Sequence, residues 1–156
     1  MGSENFKILL VDDEPDILEI ISYTLKSDGY LVYTAENGVK AIELAKKVKP
    51  DLIILDVMMP EMDGIEACEI IRNDSEIGNS LIVFLSARGE DYSQIAGFNA
   101  GADDYITKPI KPKVLKSKIK SLLRRIAKEE GDLIKLGSLI VDRSGYKVSL
   151  SGKDIS

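Results

Sequence analysis

The sequence contains no histidine and no tryptophan, and its one cysteine is Cys68. Without histidine, a Ser-His-Asp triad, a His-ligated zinc site and histidine acid–base catalysis are all excluded. A single cysteine excludes an internal disulfide framework and is typical of a reducing compartment, so we expect a cytoplasmic location. Any metal ion is therefore expected to have oxygen ligands.

Long apolar runs are also absent. None approaches the ~20 residues of a membrane-spanning helix, and no basic segment followed by an apolar one opens the chain, so we expect neither a membrane anchor nor a secretory signal. Hydrophobic residues nevertheless make up 44% of the 156 residues. This is enough for one domain with a buried core.

Charge is unevenly distributed along the chain. Residues 1–110 carry 9 basic and 21 acidic side chains, whereas residues 111–130 carry 8 basic and 2 acidic ones. An acidic body of this kind is not expected to bind nucleic acid over most of its surface.

Five short apolar runs alternate with five amphipathic segments. The predicted strands are Phe6–Val11, Leu31–Ala35, Leu52–Leu55, Leu81–Leu85 and Asp104–Thr107. Their continuous apolar character favours strands buried on both faces. The helical patterns end near Gly29, before Pro50 and around Ile71, and the last two cover Tyr92–Ala100 and Val114–Ile126. This alternation predicts an α/β fold with a parallel sheet covered by helices on both faces.

The pattern changes after Arg125. Residues 128–132 are predicted to be a linker, and three short strands are predicted at Leu133–Leu136, Leu139–Val141 and Tyr146–Leu150. About 25 residues cannot form a core of their own.

Polar residues follow the apolar runs at their carboxyl ends. They are Asp12, Asp13, Asp56, Ser86 and Lys108, and they come from four predicted strands. The carboxyl ends of parallel strands share one edge of the sheet, where ligands bind in open α/β folds. We therefore expect these five side chains to form one site.

Three clustered carboxylates favour a cation. They would repel one another without one, and carboxylate oxygens are ligands that Mg²⁺ prefers. The alternative for Asp12 and Asp13 is capping of the helix that begins at Pro15. That alternative does not explain Asp56, which on its own would be an ordinary turn residue at a strand end.

Asp56 is a candidate nucleophile. A carboxylate can attack phosphorus and become an aspartyl phosphate, with Lys108 pairing with a phosphoryl oxygen and Ser86 donating a hydrogen bond. The small Ala87 leaves room for the phosphoryl group, and Pro109 is a candidate for a cis peptide bond. The first strand–helix turn lacks a glycine-rich phosphate loop, which counts against a nucleotide-binding protein.

Four segments together resemble the receiver domain of bacterial two-component response regulators, over about residues 5–127. They are ILLVDDEPDI (8–17), PDLIILDVMMPEMDGIEAC (50–68), FLSARGE (84–90) and GADDYITKPI (101–110). The resemblance implies a doubly wound five-stranded parallel sheet of the flavodoxin and CheY type, in the order 2-1-3-4-5. It also implies a receiver domain at 1–127, a linker at 128–132 and a partial effector domain at 133–156.

The resemblance also implies roles for individual residues. Asp56 is the expected phosphoacceptor, and Mg²⁺ is expected to bind to Asp12, Asp13, Asp56 and the backbone carbonyl of Met58. Ser86, Ala87 and Lys108 are expected to contact the phosphoryl group. Ser86 and Tyr105 are expected to form the conformational switch.

The C-terminal part most resembles the OmpR/PhoB-type subfamily, in which a short β segment precedes a DNA-binding winged helix. The implied partner is a sensor histidine kinase, and the implied output is transcriptional regulation through a C-terminal domain that this sequence does not contain. The alternative is a receiver that only docks to proteins. A turnover phosphatase is disfavoured because Met58 stands where such enzymes carry an acid–base Asp.

The subfamily forms phosphorylation-dependent homodimers through its fourth helix, fifth strand and fifth helix. The corresponding residues here are Gln94, Asp103, Asp104, Val114, Lys118 and Arg125. Gln94 stands where a basic residue is common and Val114 where Glu is common, so this face departs from the usual charge pairs.

Overall fold

The structure is a computed structural model, and it describes residues 6–59, 61–87 and 100–139. The described elements are β1 (Lys7–Val11), α1 (Pro15–Lys26), β2 (Leu31–Ala35), α2 (Gly38–Val48), β3 (Leu52–Asp56), α3 (Gly64–Arg72), β4 (Leu81–Ala87), β5 (Asp104–Lys108) and α4 (Pro112–Leu139). All five strands form one parallel sheet in the order β2-β1-β3-β4-β5. This confirms the predicted strands and their order.

The middle of the sheet forms the core. Every residue of β3 is buried, as are Ile8–Val11 of β1. The prediction of burial on both faces is wrong for the two outer strands. Leu31 in β2 is 46% exposed, and Ile106 is the one fully buried residue of β5. An edge strand has a neighbour on one side only, and its side chains receive less cover from the helices.

Local sequence determines where the helices begin. Pro15 opens α1, where its missing N–H costs no hydrogen bond. The side chains of Asn37 and Asp63 cap α2 and α3 by accepting hydrogen bonds from the backbone N–H groups of Lys40 and Glu66, each at 2.8 Å. Of the helix predicted at Tyr92–Ala100, all residues but Ala100 lie outside the described residues.

The C-terminal helix is longer than predicted. α4 runs without a break to Leu139, through the predicted linker at 128–132 and the predicted strand at 133–136. For the secondary structure of these residues the prediction was wrong. The apolar residues Ile126, Leu133 and Leu136 keep a helical spacing across the charged stretch, and the two internal glycines, Gly131 and Gly137, each cost a helix only about 1 kcal/mol.

The chain divides within this helix, with one compact unit ending at Lys120 and a second beginning at Ser121. The later predicted strands lie outside the described residues, apart from Leu139 at the end of α4. Assignment of residues 133–156 to an effector domain stays a prediction. Within the described residues, no helix has both the length and the apolar character needed to cross a membrane.

Cys68 is a core residue. Its side chain is fully buried in α3, and its thiol donates a hydrogen bond to the carbonyl of Ala100 at 3.5 Å. Burial raises the pKa of this thiol to about 11. The thiol is therefore protonated at neutral pH and contributes packing, since the thiolate is the reactive form.

Two glycines at corresponding helix starts provide a matched test of the packing. A Cβ at Gly64 would lie 2.2 Å from the backbone oxygen of Asp56, whereas a Cβ at Gly38 would meet Met62 at 3.0 Å. We expect Gly64→Ala to lower the free energy of unfolding by ~3 kcal/mol and Gly38→Ala by less than ~1.5 kcal/mol. Urea unfolding of both variants measures this, and equal losses would contradict the proposed close approach.

Candidate functional site

Three carboxylates converge at the carboxyl edge of the sheet. Asp12 and Asp13 follow β1, and Asp56 ends β3, the strand next to it. One oxygen from each side chain lies within 4.8 Å of the others. Asp12 is fully buried and Asp56 is 4% exposed, whereas Asp13 faces solvent.

Lys108 brings a positive charge to these carboxylates from the end of β5. Its Nζ lies 3.4 Å from Oδ2 of Asp12 and 3.4 Å from Oδ1 of Asp56. Oε2 of Glu14 lies 3.9 Å from the same Nζ, and this neighbour was not predicted from the sequence. The peptide bond between Lys108 and Pro109 is cis.

The electrostatics of the site favour uptake of positive charge. Burial, followed by the charge of Asp12, raises the pKa of Asp56 to about 7, against the opposing effect of Lys108. Burial also raises the pKa of Asp12, although its Oδ1 accepts a hydrogen bond from the N–H of Glu14 at 2.9 Å. Burial acts to lower the pKa of Lys108, but the neighbouring carboxylates outweigh it and raise that pKa. One ammonium group therefore leaves the cluster with excess negative charge.

Gly64, at the start of α3, lies so close to the backbone of Asp56 that a Cβ at position 64 would be 2.2 Å from the Asp56 carbonyl oxygen. The N–H of Gly64 donates to the carbonyl of Val57 at 2.9 Å, and the N–H of Val57 donates to Leu85 at 3.1 Å. The close approach to Asp56 requires glycine at position 64. The sequence did not predict this requirement. The pair Asp63-Gly64, a cap followed by the smallest residue, was the available signal.

Ser86 and Tyr105 lie on the same face of the sheet. The register pairs Phe84 with Tyr105 and Ser86 with Thr107, and residues paired or two apart share a face. Ser86 is 2% exposed, and its hydroxyl has no hydrogen-bond partner among the described residues. Tyr105 is partly buried against the core beside this face.

Ala87 and Met58, two further predicted site residues, lie close to Lys108 in the sheet and close to Asp56 in the sequence, respectively. Ala87 pairs with Lys108 in the sheet, although its side chain lies outside the described part of the chain. Met58 follows β3 directly and its side chain is 64% exposed. Its role through the backbone carbonyl stays a prediction.

Three residues of the predicted dimer face line one cavity. Asp104, Val114 and Lys118 line a cavity of about 390 Å³ next to Tyr105 and Lys108. Within this group Lys118 donates to both carboxylate oxygens of Asp104 at 3.2 Å.

Asp103, Gln94 and Arg125 are the other predicted residues of that face. Asp103 is held within the chain by an ion pair with Arg72 at 2.8 Å. Gln94 lies outside the described residues, and Arg125 is exposed on the part of α4 that belongs to the second unit.

Comparisons with known proteins agree with this geometry. Residues 8–120 match the family of the response regulator receiver domain. The chain is 38% identical over 148 residues to the transcriptional regulatory protein AfsQ1 of Streptomyces coelicolor, covering 95% of this chain and 64% of that protein. It is 44% identical over 121 residues to the alkaline phosphatase synthesis transcriptional regulatory protein PhoP of Bacillus subtilis, covering 78% of this chain and 50% of PhoP. The chain thus spans half to two thirds of these relatives.

A solved structure extends the comparison to the metal site. The receiver domain of the sensor histidine kinase PA1611 of Pseudomonas aeruginosa PAO1 has a TM-score of 0.70 and 30% identity, covering 78% of this chain and 97% of that domain. That crystal structure has a magnesium ion coordinated in its active-site cleft. With its parallel sheet, acidic cluster and family match, this chain belongs to the response regulators of two-component systems and contains their receiver domain.

Proposed function

We propose that Asp56 accepts a phosphoryl group from a sensor histidine kinase and that its phosphorylation switches the output of the protein. The observation that carries this proposal is the position of Asp56, buried at a strand end beside Asp12, with the Nζ of Lys108 3.4 Å from a carboxylate oxygen of each. An oxygen of Asp56 would form a bond to phosphorus while the bond from phosphorus to the donor breaks. The bonding electrons leave with the donor.

The residues present fit a magnesium ion. Oδ2 of Asp12 is buried and, apart from its ion pair with Lys108 at 3.4 Å, has no hydrogen-bond partner among the described residues, and two other carboxylates lie close by. Asp12, Asp13 and Asp56 would hold the ion together with the backbone carbonyl of Met58. When bound, the ion would neutralise the negative charge of the carboxylates and of the incoming phosphoryl group.

Two side chains are placed to recognise the phosphoryl group. Lys108 lies 3.4 Å from Oδ1 of Asp56, so its ammonium group can follow an oxygen that becomes part of a phosphate. Ser86 is buried on the next strand, and its hydroxyl group has no hydrogen-bond partner in the part of the chain that the structure describes. Moving this hydroxyl group toward a phosphoryl oxygen would vacate space on the face that it shares with Tyr105. A two-state equilibrium would be shifted in this way.

The relatives support an output in transcription. AfsQ1 and PhoP are named as transcriptional regulatory proteins, so we propose DNA binding through a domain that follows the receiver. Response regulators are signalling switches, and we propose that this chain modifies itself without turning over an external substrate. The alternative, a receiver that only docks to proteins, receives no support from these relatives. We propose a cytoplasmic location, in keeping with the lone buried thiol.

Phosphorylation by a small donor tests the acceptor directly. With acetyl phosphate and Mg²⁺, we expect intact-mass spectrometry to show one added phosphoryl group, which Asp56→Asn abolishes and EDTA prevents. Lys108→Met should slow the reaction about 100-fold because it removes charge stabilisation at phosphorus. Lys116→Met, which breaks a surface pair with Asp28, is the matched control and should react normally. Modification of Asp56→Asn at the parent rate would refute the assignment.

The charge balance of the site predicts that its acceptor carboxylate destabilises the metal-free protein. The pKa of Asp56 rises on folding from near 3.8 to about 7, so the cost of its charge grows between these pH values and is complete above 7. At pH 8 without Mg²⁺, Asp56→Asn should increase the free energy of unfolding by ~1–3 kcal/mol. Near pH 4 this gain should disappear, and saturating Mg²⁺ should stabilise the parent more than the variant.

Thermal unfolding at both pH values measures this effect. The matched control is Asp16→Asn, which removes an exposed carboxylate from the first turn of α1 and should change stability little at either pH. A variant that is less stable than the parent at pH 8 would contradict the proposed excess of negative charge.

The output surface can be tested by molar mass in solution. We expect light scattering to show a dimer with Mg²⁺ and the phosphoryl mimic beryllofluoride, and a monomer for Asp56→Asn under the same conditions. A parent that stays monomeric with the mimic bound would refute homodimerisation through the Asp104, Val114 and Lys118 face. It would leave the role of Asp56 intact.

A further inference from the structure

The position of Lys108 depends on the register of an edge strand. Among the described strands β5 pairs only with β4, and Ile106 is the one fully buried residue of β5. A single buried side chain specifies strand register weakly. A slip by one residue would move Lys108 by ~3.3 Å and turn it to the other face of the sheet. The structure therefore needs another feature that holds β5 in place.

Arg72, the last residue of α3, makes an unusually complete set of contacts just ahead of β5. Its Nε donates to the carbonyl of Gly101 at 2.8 Å. Its Nη1 donates to the carbonyls of Gly78 at 2.9 Å and Ser80 at 2.5 Å, and its Nη2 donates to Oδ2 of Asp103 at 2.8 Å. One guanidinium thus joins the segment that leads into β4 to the segment that leads into β5.

Asp103 carries this restraint onto the sheet. Its N–H donates to the carbonyl of Ile82 at 2.8 Å, and its Oδ2 accepts from the N–H of Ile82 at 2.9 Å. The pair lies immediately before Val83 and Asp104, the first paired residues of β4 and β5. Asp103 and Ile82 therefore set the register at its starting point, and Arg72 holds the carboxylate that makes one of the two bonds.

The backbone of Gly101 passes close to the side chain of Arg72. Gly101 has a φ of +107°, and a Cβ there would lie 2.9 Å from Cγ of Arg72. The left-handed backbone and the missing side chain are what permit the Gly101 carbonyl to reach Nε. The segment before β5 is thus shaped around the arginine.

We propose that Arg72 is a positioning residue for the phosphorylation reaction, acting through Asp103 to hold β5 in the register that places Lys108 beside Asp56. The inference rests on the proposed function only in giving Lys108 a role in phosphorylation. The claim about register concerns the fold and can be tested without phosphate. Arg72 lies at the amino-terminal edge of β4 and β5, and Lys108 lies at the opposite end of β5.

The test compares Arg72→Met and Arg72→Lys with the parent chain. Lysine keeps the charge but lacks the planar fork that reaches several acceptors, so its effect should be intermediate. It also supplies a folded variant if the methionine variant does not fold. Lys46→Met is the matched control, because Lys46, on α2, pairs with Asp74 at 3.5 Å in the loop that follows α3.

Three measurements, all taken well below the unfolding temperature, distinguish a displaced Lys108 from a general loss of stability across the domain. They are the Mg²⁺ affinity by calorimetry, the initial rate of phosphorylation by acetyl phosphate, and amide hydrogen exchange of β5. We expect Arg72→Met to bind Mg²⁺ at least about half as tightly as the parent, while the phosphorylation rate falls at least about tenfold. Exchange in Tyr105–Lys108 should accelerate while exchange in β1 and β3 stays unchanged, and the control should match the parent throughout.

The possible outcomes have distinct meanings. Unchanged phosphorylation and exchange in Arg72→Met would overturn the inference, as would a parallel loss of Mg²⁺ affinity with faster exchange across the whole sheet. If the parent itself is not phosphorylated, the proposed function fails. Selective exchange in β5 would then still decide whether Arg72 holds the register. If only Arg72→Lys folds, the same readouts apply to it, with parent-like values counting against the inference.

Discussion

Two carboxylates buried side by side, Asp12 and Asp56, are the constraint on which the rest of this receiver domain depends. Burial removes the water that would screen their charges, and one ammonium group from Lys108 does not balance them together with Asp13. Such a cluster is held together by the surrounding structure. The same imbalance that makes the site costly without a cation makes it receptive to a divalent ion and to the chemistry of a phosphoryl group.

The close packing of the central strands offsets the free-energy cost of burying these charges. β1 and β3 lie next to each other in the middle of the sheet, and their apolar residues are almost completely buried. Their carboxyl ends therefore present Asp12 and Asp56 from the best-packed part of the molecule. The close approach of Gly64 to the backbone of Asp56 adds a further restraint on the acceptor.

Two of the groups expected to respond to phosphorylation come instead from the less buried edge strand. Lys108 and Tyr105 both lie on β5, whose register is supported at one end by Arg72 and Asp103. Ser86 lies on β4, between the rigid strands and this edge. A stable acceptor next to a more adjustable edge is a suitable arrangement for a switch, because elements that move are drawn from regions of lower local stability.

The sequence by itself determined the five strands of the sheet, their parallel arrangement and the four side chains that meet at its carboxyl edge, Asp12, Asp13, Asp56 and Lys108. Apolar runs that end in Asp12, Asp56, Ser86 and Lys108 carry that information locally, since the carboxyl ends of parallel strands must meet at one edge. The strand order came from the resemblance and was confirmed. The extension of α4 to Leu139 was missed because a charged, glycine-containing stretch resembles a linker although its apolar spacing is helical.

Only the tertiary structure decided burial and partnership. Which apolar strands became partly exposed edges, how close Lys108 lies to the carboxylates, and why position 64 must be glycine all depend on residues far apart in the chain. Asp103 shows the reason most clearly. In the sequence it stands beside Asp104 as a second surface acid, whereas in the fold it pairs with Arg72 from α3, 31 positions earlier. No local pattern records a contact of that kind, because it exists only once the helix and both strands have packed.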